Sequence, residues 1–173
     1  MRVIGLDVGT TTVCATVIDA ASGELLRSVT KPNAAALQSV YPFERIQDPA
    51  VILNLCLEMT GSLISEYGPV AAIGVTGQMH GIIYLDRLGD AVSPLYYWQD
   101  ESGNEPYQGS TYAGYLSAVT GCKMASGFGG TTYFYHSVNN RVPQGAVVFC
   151  TIHDYVAMKL AGATAPLSHV SDA

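Results

Sequence analysis

An α/β domain with a mixed β-sheet is predicted by three features of this sequence. The first thirty residues hold three β-rich runs joined by turns too short to contain a helix, which makes an antiparallel meander and not a βαβ unit. From about residue 48 onward, helical and strand periodicities alternate, so helices are expected to flank the sheet. The 173 residues are 49% apolar and only 13% charged, which is length and apolar content enough for one real core.

The elements follow in order. Arg2–Leu6 is a run rich in branched residues, and Asp7-Val8-Gly9-Thr10-Thr11-Thr12 is a polar turn leading to a second run, Val13–Asp19. No helix follows Gly9 directly, so the turn is not a dinucleotide fingerprint. A further turn at Ala21–Glu24 precedes a third strand, Leu25–Thr30. Asp48-Pro49 supplies an N-cap and a proline at the first helical position. Ile52, Leu55, Cys56, Met59 and Leu63 then recur at helical spacing, and Gly68-Pro69 ends the helix.

Val70–Val75 is an apolar strand that breaks at Thr76–Gly81. Strands at Ile82–Leu85 and Val92–Trp98 flank the Asp86–Asp90 turn, and a helix is expected over Glu105–Val119. Gly127–Gly130 reads as a loop, followed by a short Thr131–Val138 segment, a strand at Ala146–Cys150 and a helix from about His153 to Leu160. Thr151 and Asp154 have the spacing of a capping box before that helix. A turn at Gly162–Pro166 leads to a last stretch without a closing helix, so the chain is expected to stop inside its parent domain.

Charge and composition narrow the function. A formal charge of −6 with only eight scattered Lys and Arg offers no phosphate-tracking stripe, which excludes nucleic-acid binding. No run approaches the roughly 18 consecutive apolar residues of a membrane helix, and the first residues lack a secretory signal. A soluble cytoplasmic protein is expected. Cys14, Cys56, Cys122 and Cys150 stand too far apart for a zinc knuckle or redox dithiol, so all four are expected as buried free thiols.

Four segments could carry chemistry. In Asp7–Thr12, backbone N–H groups and the hydroxyls of Thr10, Thr11 and Thr12 could donate to phosphate oxygens, Gly9 allows close approach, and Asp7 could hold magnesium or its waters. The same residues also suit a plain polar hairpin tip, with threonines chosen for strand propensity. Gly77-Gln78-Met79-His80-Gly81 lies at a strand end, where α/β sheets bind ligands. Gln78 and His80 offer hydrogen bonds to hydroxyls and Met79 a pliable wall, although a glycine-flanked turn fits too. Trp98, the sole tryptophan, could stack on a sugar face while Asp100 accepts from hydroxyls, or Trp98 could simply be packed. Ser126-Gly127-Phe128-Gly129-Gly130 could bring backbone to a ligand or merely turn the chain. No Ser/His/Asp or metal-histidine arrangement follows from spacing.

Taken in order, these segments resemble the amino-terminal part of the FGGY carbohydrate kinases, nearest to the sedoheptulose kinases and then the xylulose kinases. The resemblance runs from Val3 to Ala173 and rests on Ile4–Thr11, Glu44–Pro49, Gly74–Gly81, Trp98–Asp100, Ser126–Gly129 and Thr151–Met158. It implies a ribonuclease-H-like (actin-like ATPase) domain, here incomplete over residues 1–173, with the carboxy-terminal nucleotide-binding domain absent from this chain. It also implies that ATP and Mg²⁺ lie by Asp7 and Gly9–Thr12, while Gln78, Met79, His80, Trp98 and Asp100 line a ketose pocket. The base aspartate would lie beyond Ala173, and Asp172 is not that base, so the isolated chain is expected to turn over little or no substrate. Many members carry a Lys and a Trp where this chain has Thr132 and Phe134, which weakens the xylulose-kinase reading. Competing readings are a non-catalytic sugar-sensing or scaffold module, or an actin-like ATPase without a sugar site. An apolar face left bare by a missing domain would favour association, with a homodimer as one form.

Overall fold

In the computed structural model, which describes residues 1–163, the chain opens on three antiparallel strands: β1 (Arg2–Val8), β2 (Thr12–Asp19) and β3 (Glu24–Pro32). Two short strands, β4 (Ala36–Leu37) and β5 (Ile46–Gln47), lead into helix α1 (Pro49–Tyr67). After α1, strand β6 (Ala72–Gly77) returns parallel to β1, with Val3 opposite Ala72 and Val8 opposite Gly77. The sheet order is therefore β3-β2-β1-β6, a mixed sheet built on the expected meander. This register sets the tip of the β1–β2 turn beside the end of β6.

Strand alternation decides which face is covered. Ile4, Leu6 and Val8 of β1 and Val13, Ala15 and Val17 of β2 point to one side and are buried. Ile52, Cys56, Met59 and Leu63 of α1 belong to the same core. Each Val, Leu, Ile or Met side chain so taken from water stabilises the fold by roughly 1.5–3 kcal/mol. The helix starts and stops where the sequence places it: the Asp48 carboxylate accepts from Ala50 N at 2.8 Å, Pro49 follows, and Gly68 N donates to Ile64 O at 2.8 Å. On the other face, Gly5, Asp7, Gly74 and Thr76 are exposed.

The second half adds β7 (Ile83–Leu85), β8 (Leu95–Tyr96), a 3-10 turn at Ser102–Asn104, β9 (Pro106–Tyr107), β10 (Ser110–Thr111), α2 (Tyr112–Thr120), α3 (Gly129–Val138), β11 (Val148–Cys150) and α4 (Ile152–Leu160). Strand β11 pairs antiparallel with β7, and β5 lies between β4 and β8. Helix α4 packs on β6 and α1 through the core residues Ile152, Tyr155 and Val156. Its cap is as expected: Thr151 Oγ1 accepts from Asp154 N at 3.4 Å and donates to Asp154 Oδ2 at 2.7 Å.

Several boundaries differ from expectation. The helix predicted from Glu105 starts at Tyr112, because Pro106, Gln108 (φ 46°) and Gly109 (φ 78°) fold into the β9–β10 hairpin; Thr111 then caps through Gly114 N at 3.1 Å. The strand predicted over Val92–Trp98 shrinks to Leu95–Tyr96. Pro94 lacks an N–H, and Ser93 Oγ takes the hydrogen of Tyr84 N at 2.9 Å. The glycine loop and the segment after it form one helix from Gly129. The strand predicted at Val70–Val75 starts at Ala72 and continues to Gly77, and that at Ala146–Cys150 starts at Val148. The readings that fall on residues 164–173, including that of Asp172, lie outside the described residues.

Candidate functional site

The parallel pairing of β1 with β6 carries both strands to a common end, and Gln78 N there donates to Val8 O at 3.0 Å. A cavity of about 420 Å³ opens at this point. Asp7, Gly9 and Thr10 line it from the β1–β2 turn; Gly77, Gln78, Met79 and His80 line it from the end of β6; Trp98 closes one side. The turn is tight. A Cβ on Gly9 would sit 2.8 Å from Thr12 O, and Asn33 Nδ2 holds Gly9 O at 2.9 Å.

A ring of hydrogen bonds fixes the polar groups. Thr10 Oγ1 donates to Gln78 Oε1 at 3.0 Å and accepts from Trp98 Nε1 at 3.0 Å. Gln78 Nε2 donates to Gln47 Oε1 at 2.9 Å, and Gln47 Nε2 donates to Thr10 O at 2.9 Å. Thr10 therefore ties the hairpin tip, the end of β6 and the indole together. Gln47 is buried; sequence reasoning assigns it no site role, and it enters there only within Glu44–Pro49, one of the segments that carry the family resemblance. No local pattern marks it, because its partners are 31 and 37 residues away. Gln47→Leu is expected to destabilise the chain by about 1–3 kcal/mol, since Gln78 Nε2 and Thr10 O lose their partners in a buried setting. Thermal denaturation measures this, and an unchanged midpoint would show that water replaces the amide.

His80 adopts the left-handed region (φ 69°), and its ring stacks on Phe128 with centroids 4.3 Å apart. The loop before α3 supports the site from behind: a Cβ on Gly127 would lie 1.9 Å from Trp98 O, and one on Gly129 would lie 3.0 Å from His80 O. This loop thus does more than turn the chain. Met79 and Trp98 remain 64% and 46% exposed beside these polar groups.

The structure brings together Asp7, Gly9, Thr10, Gln78, Met79, His80 and Trp98, but not the remaining three residues. Thr11 and Thr12 are exposed and do not line the hollow, although Thr11 O anchors Asn33 N at 2.8 Å. Asp100 lies beyond Trp98 with its carboxylate buried. That carboxylate accepts from Ser102 Oγ, from Ser102 N at 3.1 Å and from Arg45 N at 3.4 Å. Burial pushes the Asp100 carboxyl above the usual carboxylate range, against the downward pull of the Ser102 hydrogen bonds. Its oxygens serve the fold, because the chain doubles back at Ser102 directly beneath them. Thr132 is buried in α3, and Phe134 packs on Tyr107 and Tyr115, away from the hollow.

Among the described residues no group of three or more His, Cys, Asp and Glu side chains could hold a metal, and no helix is long and apolar enough to cross a membrane. Asp7 at a glycine turn is nevertheless a donor set suited to a hard, hydrated cation such as Mg²⁺, which takes one or two carboxylates and keeps waters or phosphate oxygens. The exposed hydroxyls of Thr11 and Thr12 on the same turn are donors suited to phosphate oxygens.

The model of the FGGY family of carbohydrate kinases, N-terminal domain, matches residues 2–173. A sedoheptulokinase from Mus musculus is 31% identical over 191 residues, covering 95% of this chain and 39% of its own length. A xylulose kinase from Streptomyces coelicolor is 31% identical over 102 residues, covering 57% of this chain and 20% of its own. The chain therefore spans less than half the length of these relatives. Among solved structures, xylulose kinase from Rhodospirillum rubrum superposes with a TM-score of 0.74 at 21% identity, covering 91% of this chain and 33% of that one. Glycerol kinase from Plasmodium falciparum superposes at 0.69 and 15%, covering 98% and 37%. Identities this low show the fold alone.

Proposed function

This chain belongs to the FGGY family of carbohydrate kinases as its N-terminal domain, with the actin-like ATPase fold, and on that premise we propose that it is the sugar-binding part of a kinase that phosphorylates a hydroxyl of a sedoheptulose- or xylulose-like ketose from ATP. The observation that carries this reading is the Thr10-centred junction, where a phosphate-type turn and a hydroxyl-binding strand end share one hollow.

On the sugar side, Trp98 presents an exposed indole face to C–H groups and Met79 a pliable wall. Gln78 spends one hydrogen and one lone pair on Gln47 and Thr10, leaving a second N–H for a ligand hydroxyl. His80, held by Phe128, offers a ring nitrogen to another hydroxyl. On the phosphate side, Gly9 and Thr10 bring backbone close, Thr11 and Thr12 add exposed hydroxyls, and Asp7 would hold Mg²⁺ through water. Bound Mg²⁺ would neutralise charge on the transferring phosphoryl group. The residues of this chain position the acceptor hydroxyl, and the base that takes its proton is assigned to the rest of the parent protein, beyond Ala173. The isolated chain then binds sugar without appreciable turnover.

Trp98, as the sole tryptophan, reports directly on this site. Titrating the chain with sedoheptulose and with xylulose is expected to give a saturable fluorescence change with at least one of them, and none with a non-sugar control. His80→Ala is expected to weaken that binding about tenfold, the loss of one hydrogen bond of about 1.4 kcal/mol. No saturable response to either ketose would overturn the assignment.

A further inference from the structure

We infer that a second cavity, which also has Trp98 in its wall, is a polyol subsite that takes the distal hydroxyls of a longer sugar. This deepens the proposed sugar-site reading and rests on it. The cavity measures about 420 Å³, the same as the first, and Trp98 lines both. Arg45, Gln99, Glu101, Asn104 and Ser126 line the rest, with Asp100 behind them.

The chemistry of this lining selects its occupant. Arg45 Nη1 donates to Pro42 O at 2.7 Å and Glu44 O at 3.0 Å, so the guanidinium is anchored, yet it forms no ion pair among the described residues and keeps further N–H groups free. Gln99, Glu101 and Asn104 are exposed, and among the described residues their side chains make no hydrogen bond. An anion entering the cavity would meet Arg45 but also Glu101. A cation would meet Glu101 but also Arg45. A neutral group that both donates and accepts satisfies all of them, and a chain of hydroxyls is such a group. The shared wall is rigid: the indole N–H is held by Thr10, and the Trp98 carbonyl is pressed by the Gly127 backbone. Because Trp98 lines both cavities, a polyol stacked on it in the first hollow would extend its further hydroxyls toward the second.

The test uses the whole chain, calorimetric titration with xylulose (five carbons) and sedoheptulose (seven carbons), and three variants. Wild type is expected to bind sedoheptulose at least about fivefold more tightly than xylulose, a difference of roughly one hydrogen bond. Asn104→Ala and Arg45→Met are each expected to remove that preference by weakening sedoheptulose alone. His80→Ala should weaken both sugars equally and leave the ratio intact. Arg45→Met also loosens the loop it anchors, whereas Asn104→Ala removes an exposed side chain with no hydrogen bond to lose among the described residues, so it decides the matter if the first variant unfolds. Binding of both ketoses with a ratio that Asn104→Ala leaves unchanged overturns the second subsite and spares the sugar pocket. Binding of neither ketose overturns both.

Discussion

Gly127→Ala is expected to destabilise the chain by about 3 kcal/mol and to abolish the sugar response. The added Cβ would lie 1.9 Å from Trp98 O and 2.7 Å from Trp98 C, and both are backbone atoms that cannot swing aside. Overpacking of this kind costs typically 1–3 kcal/mol. The residue also sits at φ 80°, where an L side chain adds about 1–2 kcal/mol of strain. Relief requires Trp98 to move, which breaks its bond to Thr10 and opens both cavities at their common wall. Thermal denaturation and the emission maximum of Trp98 measure the two effects together. Gly23→Ala is the control, because Gly23 has a similar φ of 75° but nothing within 4 Å of the new atom. Equal losses at the two positions would show that backbone strain alone operates and that the loop does not brace the indole.

Acidification from pH 7 to pH 4 is expected to remove about 3 kcal/mol of stability through His136 alone. This histidine is 1% exposed; its Nδ1 pairs with the Tyr84 hydroxyl at 3.0 Å, and its ring meets Tyr96 edge-on at 4.4 Å. Burial, aided by the charge of Arg141, pushes its pKa down to about 4 from an ordinary 6.5. The folded chain therefore keeps the ring neutral while the unfolded chain takes up a proton below pH 6.5. Between those values the unfolded state binds more protons, so stability is complete above pH 6.5, declines as pH falls, and has lost this contribution at about pH 4. Comparing wild type with His136→Gln isolates the effect: the stability difference between them should shrink steadily across that window. Parallel losses in the two proteins would contradict it.

The parts of this fold that were legible in the sequence are those governed by local chemistry. Asp48, Pro49 and Gly68 marked both ends of α1, and the short turns at Gly9 and Gly23 forced a meander. Thr151 and Asp154 were recognisable as a cap for the same reason. The segments around the hollow were named through the family resemblance; that Thr10 and Gln78 meet follows from Val8 opposite Gly77, a pairing that no local pattern in the sequence sets. What escaped depends on distant partners. Gln47 and Asn33 support the site from positions 31 and 24 residues away from the groups they hold, and nothing adjacent announces either. Asp100 looked available for a ligand because sequence carries no burial, and the Ser102 turn that consumes it is formed by ordinary residues. The glycines before α3 hid a helix start, since their small size reflects contact with Trp98 and Ile82 and not a flexible loop.

Thr10 Oγ1 has a consequence for how two ligands would sense each other. A single oxygen bridges the Gln78 amide and the Trp98 indole, while the backbone of the same residue forms the turn proposed to lie beneath the phosphates. A ligand on either side that shifts or pins this atom would change the affinity of the other side. Thermodynamic reciprocity then requires that whatever factor one ligand imposes on the other is returned in equal measure.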